Sequence, residues 1–262
     1  MSKSYRLSRI FRPETGNSLV LPIDHGLAWG YVKGLENPCE VLKNLKTPDI
    51  DAVLLSDGIA KQSESVFYGR NTPARLLCAD TFYMENKKLN HELVVSPETA
   101  ARRGYDCVKV ILFWDRPAEE RMKSVKLIAN CIQEAEKWDM PVMVEPLTFD
   151  PVEDKEERIK ILSDATRIAY ELGADILKIP HPGDKETLEN WVKNFNVPTI
   201  LLGGGKSGST EDLIALVDEA ISVGVRGVAI GRNVWQRSSE EAKKVLSAFA
   251  EIIHKKRVLS NN

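Results

Sequence analysis

Eight short apolar runs recur along the chain, at residues 18–24, 52–57, 75–79, 107–113, 142–147, 176–180, 199–203 and 227–231. Runs of this length, bounded by Gly, Pro and Asp, are the pattern of strands buried on both faces. Amphipathic segments with helical spacing follow, at 118–138, 156–172, 185–194, 210–223 and 239–255. The helical pattern is weaker after the first three runs, and 63–71 reads as a long loop. Eight strands alternating with helices over about 250 residues predict an α/β fold, a (β/α)8 TIM barrel, rather than an open doubly wound sheet. No linker or shift in composition divides the chain, so one domain over 1–262 is expected. No Gly-x-Gly-x-x-Gly follows the first run, which removes the main cue for a dinucleotide fold.

Two of the runs carry a lysine where an apolar residue belongs. Residues 104–110 read GYDCVKV and 173–179 read GADILKI, which share the pattern Gly-x-Asp-x-(Val/Leu)-Lys-(Val/Ile) and place Lys109 and Lys178 at matched depth. A charged amine inside a buried strand carries a large desolvation cost, so it needs a partner or must lose its proton. A single such lysine reads as an edge-strand charge; two at one depth, on the fourth and sixth strands, point to a shared interior site. Glu145 is the one ionisable residue of the fifth run, between them. It serves either as a static partner that makes the lysines tolerable or as a proton carrier. Asp24 ends the first strand, just before His25 and Gly26. Asp24 fits an inward polar role, and His25 fits a structural or a participating role equally well.

Bulk composition narrows the classes. With 43% hydrophobic and 28% charged residues the chain is of the soluble globular type. A net charge of -2 gives no bulk attraction to nucleic acid or anionic membrane, so neither is an expected partner. Any anion must be held by local groups. Cys39, Cys78, Cys107 and Cys131 form no CxxC pair and no metal spacing with the four histidines, so reduced thiols, no metal and a cytoplasmic setting are expected. The basic N-terminus is followed by an apolar run too short for a signal peptide or membrane span.

The seventh run leads into Gly203, Gly204, Gly205, Lys206, Ser207 and Gly208, and the eighth into Gly231, Arg232 and Asn233. Consecutive glycines let backbone N–H groups turn toward an anion, and the loops after strands seven and eight are where barrels hold phosphate. Gly204, Gly205, Lys206, Gly231 and Arg232 are therefore the candidate phosphate site, against the plainer reading of a loop and a surface cation.

The segments LPIDHG (21–26), DILK (175–178), LGGGKSG (202–208) and GVAIGRN (227–233), in this order, resemble the class I, Schiff-base aldolases of the archaeal-type fructose-bisphosphate, tagatose-bisphosphate and sulfofructose-phosphate aldolase superfamily. The resemblance implies Lys178 as the Schiff-base lysine, Asp24 as its polar partner, and Gly204, Gly205, Gly231 and Arg232 around a substrate phosphate. The archaeal-type enzymes use a strand-five tyrosine as acid/base, and this chain has none there. Its VKVILFWD (108–115) and VEPLTFD (144–150) look more like the branch in which a strand-four lysine and a strand-five glutamate take part.

The implied activity is a cofactor-free cleavage or formation of a carbon–carbon bond in a phosphorylated ketose, with dihydroxyacetone phosphate as one product, by a homo-oligomer. A lysine with pKa about 10.4 is neutral in only about one molecule in 2,500 at pH 7, so the nucleophile needs activation. Partial burial and the charge of Lys109 are expected to supply it for Lys178, with Glu145 pushing the other way. A thiolase-like or transaldol synthase on the same scaffold, and a non-catalytic barrel binding a phosphate ligand, are the alternatives.

Overall fold

The computed structural model describes residues 1–204 and 209–255. The parallel strands β1 (Ser18–Pro22), β2 (Ala52–Leu55), β3 (Ala74–Cys78), β6 (Cys107–Phe113), β7 (Val142–Leu147), β8 (Ile176–Ile179), β9 (Thr199–Leu202) and β10 (Gly227–Ala229) close into a barrel, with β10 pairing back on β1. β4 (Asp80–Glu85) and β5 (Lys88–Leu93) form a separate antiparallel hairpin between β3 and β6. The chain is thus the expected (β/α)8 barrel, with each predicted strand in place and slightly shorter at its carboxyl end in most cases.

Strand ladders set the depth of every inward residue. They pair Lys109 with Met143 and Met143 with Ile176, so Lys178 lies two residues farther along than the ladder partner of Lys109. Closing a barrel of this kind staggers the strands by about one residue each, which brings Lys109 and Lys178 back to one level. The same stagger assembles a layer of Leu54, Lys109, Lys178 and Ala229 from alternate strands. Above it, toward the carboxyl ends, lie Pro22, Cys78, Glu145 and Leu202; below it lie Val20, Leu76, Met143 and Ile200. The lower layers are apolar, so the polar cluster floats on a dry floor.

Outward strand residues such as Val53, Val110, Val144 and Leu177 pack under the helices in a second apolar shell. The long helices α6 (Ala118–Glu136), α7 (Lys155–Glu171), α8 (Lys185–Asn194), α9 (Thr210–Ser222) and α11 (Ser239–Ile253) fall where the periodicity places them. The early connections hold only short pieces, α2 (Gly26–Trp29), α3 (Pro38–Leu45), α4 (Asp57–Gln62) and α5 (Pro97–Arg102), too short to show a strong period. A single helical turn, α10 (Arg232–Trp235), likewise follows β10. The expected loop at 63–71 contains one 3-10 turn, Glu64–Phe67.

The basic N-terminal segment forms α1 (Lys3–Ile10), whose Ile10, with Phe11, joins the inner cluster and covers the amino end of the barrel. Its cations pair with the aspartates that precede the strands: Arg9 with Asp106 at 3.0 Å, Lys3 with Asp175 at 3.0 Å, and the following Arg12 with Asp51. Asp106 also accepts from the Arg75 amide at 3.0 Å, and Asp175 from the Val142 amide at 2.9 Å. The aspartate of the repeated sequence pattern is therefore structural: it accepts from an N–H at the amino end of the neighbouring strand. Closure itself depends on Gly227, where a Cβ would lie 1.9 Å from the Ser18 carbonyl oxygen.

Candidate active site

At the carboxyl ends of the strands a cavity of about 400 Å³ opens above the two lysines. Lys109, Glu145 and Lys178 are almost wholly buried, at 2%, 4% and 4% exposure. The Lys178 ammonium donates to Glu145 Oε1 at 2.7 Å, and the other carboxylate oxygen of Glu145 lies 3.7 Å from Lys109 Nζ. Glu145 thus bridges the two lysines from the layer above, as the intervening strand requires. Lys109 has two further partners, Asp24 at 3.6 Å and Asp80 at 3.5 Å.

The charge balance differs from the sequence expectation in one respect. The sequence leads one to expect that Lys109 acts on Lys178 as a like charge, with Glu145 beside both; Asp24 and Asp80 join Glu145 around Lys109 in the fold. Burial works against its charged form, but Cys78, Asp80, Asp24 and Glu145 outweigh that effect and hold the Lys109 amine well above its ordinary value. Burial would raise the Asp24 carboxyl, and Lys109, His25 and Lys178 together pull it below the usual range. Asp80 behaves alike: burial is overcome by Lys109, by His91 and by the Ile111 amide.

Asp80 is the functional-site residue that sequence reasoning missed. It opens the hairpin, where β4 and β5 flank Asn86 and Lys87, both at positive φ as a tight primed turn demands. An alternating stretch around Asn86 was the available signal, obscured because Lys rather than Gly follows the asparagine. One Asp80 oxygen accepts from the Ile111 amide at 2.6 Å and meets His91 Nε2 at 2.8 Å; His91 Nδ1 faces Ser124 on α6 at 3.3 Å. The hairpin therefore locks one carboxylate of the cluster in place.

His25 lines the cavity 3.6 Å from Asp24 and meets the Trp235 ring edge-on at 5.3 Å. Burial, with the charges of Lys178 and Arg232, holds its imidazole below the ordinary value despite Asp24. Gly204, Gly231 and Arg232 line the far side of the cavity, while Gly205 and Lys206 lie outside the described residues. Gly231 is required by close approach, since a Cβ there would sit 2.9 Å from the Pro22 carbonyl oxygen. The Gly203 oxygen accepts from Asn233 at 3.1 Å and the Pro22 oxygen from Trp235 at 3.1 Å, which ties the ends of β9 and β1 to the segment after β10.

These carboxylates make stability pH-dependent in a definite sense. Because Asp24 and Asp80 titrate lower in the fold than the unfolded value of about 3.9, their contribution is present above that pH and is lost as pH falls through the folded values. Lys109, raised by folding, contributes below about 10.4 and loses its contribution only as pH rises through its folded value. Urea midpoints measured from pH 7 to pH 2 are expected to fall more steeply for the unaltered protein than for Asp80→Asn. Parallel curves would contradict the assignment.

An eight-stranded parallel barrel with a buried lysine–carboxylate cluster at the carboxyl ends of its strands has the build of a barrel enzyme with its active site at that face. The chain belongs to the DeoC/LacD family of aldolases, whose family model matches residues 18–237. It is 32% identical over 260 residues to an uncharacterized aldolase of Saccharolobus solfataricus, covering 95% of this chain and 93% of that one. It is 30% identical over 252 residues to the class 1 fructose-bisphosphate aldolase of Thermoproteus tenax, covering 94% and 92%. Among solved structures it is similar to an archaeal fructose-1,6-bisphosphate aldolase whose catalytic lysine carries the carbinolamine intermediate, with a TM-score of 0.80, 27% identity, and coverage of 97% and 100%. Among the described residues no helix is long and apolar enough to cross a membrane.

Proposed function

We infer that the protein is a class I aldolase that cleaves or forms a carbon–carbon bond in a phosphorylated ketose through a Schiff base on Lys178. The observation that carries this reading is the 2.7 Å hydrogen bond between the Lys178 amine and Glu145, buried at the mouth of an aldolase-family barrel. Family membership and the lysine adduct seen in the similar archaeal enzyme support it.

The cluster suggests how the amine is freed. Passing one proton from Lys178 to Glu145 leaves the total charge of the buried group unchanged, so the nucleophile emerges without an uncompensated charge being created. The amine then adds to the ketone carbon. Glu145 returns its proton to the carbinolamine oxygen, water departs, and the resulting iminium accepts the electron pair of the neighbouring carbon–carbon bond as it breaks, while the Glu145 carboxylate takes the proton of the hydroxyl on the departing carbon and later gives it to the enamine. The aldehyde leaves, the enamine takes a proton, and water releases the ketone and the lysine.

Lys109 remains charged throughout and donates to a substrate oxygen, while Asp24 orients a substrate hydroxyl. Gly204, Gly231 and Arg232 hold the phosphate, so that binding energy remote from the reacting carbons places them correctly. The donor fragment left on the enzyme is proposed to be dihydroxyacetone phosphate.

Borohydride added with a ketose phosphate is expected to reduce the iminium to a stable secondary amine, located on Lys178 by peptide mass spectrometry. An adduct on Lys109 would exchange the two lysine roles, and no adduct with any ketose phosphate would end the Schiff-base reading. Turnover is expected to persist in EDTA; its loss would remove metal independence.

A further inference from the structure

The cavity has two unlike ends. On one side stand Gly204, Gly231 and Arg232, on segments that follow β9 and β10. Diametrically across the closed strand order are β3 and β6. There the wall is made of Phe82 from the hairpin, Phe113 from the end of β6 and Phe149 after β7, with Trp29 of α2 at the rim. Phe82 and Phe113 meet edge-on at 4.8 Å, Phe113 and Phe149 at 5.4 Å, and Trp29 and Phe82 at 5.5 Å. The three phenylalanines, with Leu89, Ile111, Ala28 and Leu147, form an apolar cluster of their own, separate from both shells of the barrel core.

Such a wall is poorly suited to an anion. Lys109, Lys178 and Arg232 are the lysines and arginines lining the cavity among the described residues, and Lys109 is already matched by three carboxylates. Arg116 lies 5.5 Å from the Phe149 ring centre, but its guanidinium is engaged by Glu120 at 3.0 Å and Asp150 at 3.1 Å. A phosphate pressed against Phe82 and Phe113 would lose its water and meet no free cation among the described residues.

We propose, on the basis of the Schiff-base reading above, that the substrate is a ketose monophosphate whose far end carries no phosphate and is apolar. The aldehyde released is then a deoxygenated or alkyl one, seated on the Phe82–Phe113–Phe149 wall. Gly204, Gly231 and Arg232 hold the single phosphate on the ketone fragment.

The test compares the unaltered protein with two sets of ketose phosphates, in every configuration at the carbons flanking the scissile bond. One set is 6-deoxyketohexose 1-phosphates and the other ketohexose 1,6-bisphosphates. Borohydride trapping on Lys178 and kcat/KM for cleavage are both read. The best deoxy monophosphate is expected to exceed the best bisphosphate by at least about 100-fold in kcat/KM. Phe82→Arg is expected to narrow that ratio by about tenfold or more.

A bisphosphate that is trapped and cleaved as well as, or better than, the deoxy compounds overturns the proposal and leaves the Schiff-base reading standing. No adduct from either set overturns both. The substrate comparison needs no variant, so it decides the matter even where Phe82→Arg fails to fold.

Discussion

Replacing Lys178 with methionine is expected to lower carbon–carbon bond cleavage by roughly 10⁴- to 10⁶-fold, the range seen when a covalent nucleophile is removed. At about 1.36 kcal/mol per tenfold, this is on the order of 5–8 kcal/mol of barrier. Methionine keeps the length and apolar stem of lysine, and position 178 lies in a packed layer beside Leu54 and Ala229, so the loss should be chemical rather than structural. Glu145 retains Lys109 at 3.7 Å when Lys178 is gone, which keeps its charge compensated. Single-turnover cleavage and borohydride labelling are the measurements, with circular dichroism as the control. Activity within tenfold of the unaltered protein would remove Lys178 from the mechanism.

Replacing Lys109 with methionine is expected to act mainly on stability, with a loss of about 3–5 kcal/mol in urea unfolding at pH 7. The reason is the number of charges that the ammonium holds together. Asp24, Asp80 and Glu145 all lie within 3.7 Å of it, and Asp80 is fully buried. Without the cation these carboxylates repel one another in a site that excludes water. Protonation relieves that repulsion, so the difference from the unaltered protein should narrow as pH is lowered from 7 to 5. A pH-independent difference would mean that Lys109 contributes packing of its stem and little else. Catalysis should fall as well, because Lys109 no longer meets the substrate oxygen.

The strand runs and helical periods were sufficient for the barrel, and the reason is local. Burial on both faces writes a continuous apolar run, and a one-sided helix writes a 3.6-residue period, whatever lies elsewhere in the chain. The matched positions of Lys109 and Lys178 were legible for the same reason: each repeated segment begins with a helix-ending glycine at positive φ and an aspartate that accepts from an amide of the neighbouring, preceding strand. That common start fixes how far along the strand each lysine stands. The short early helices and α1 were less legible, since a few turns of helix hold too few residues for a period to emerge.

What the linear order of residues determined on its own is therefore the architecture and the depth at which two amines enter it. Tertiary structure alone decided their company. Asp80 reaches Lys109 because a hairpin between β3 and β6 folds over the barrel mouth, Glu145 divides its two oxygens between the lysines because β7 runs between β6 and β8, and the aromatic wall is gathered from three separate connections and the end of β6. Secondary structure follows from neighbours within a few residues, whereas ion pairing and pocket chemistry depend on side chains brought within a few ångströms from distant segments by the closure of the sheet.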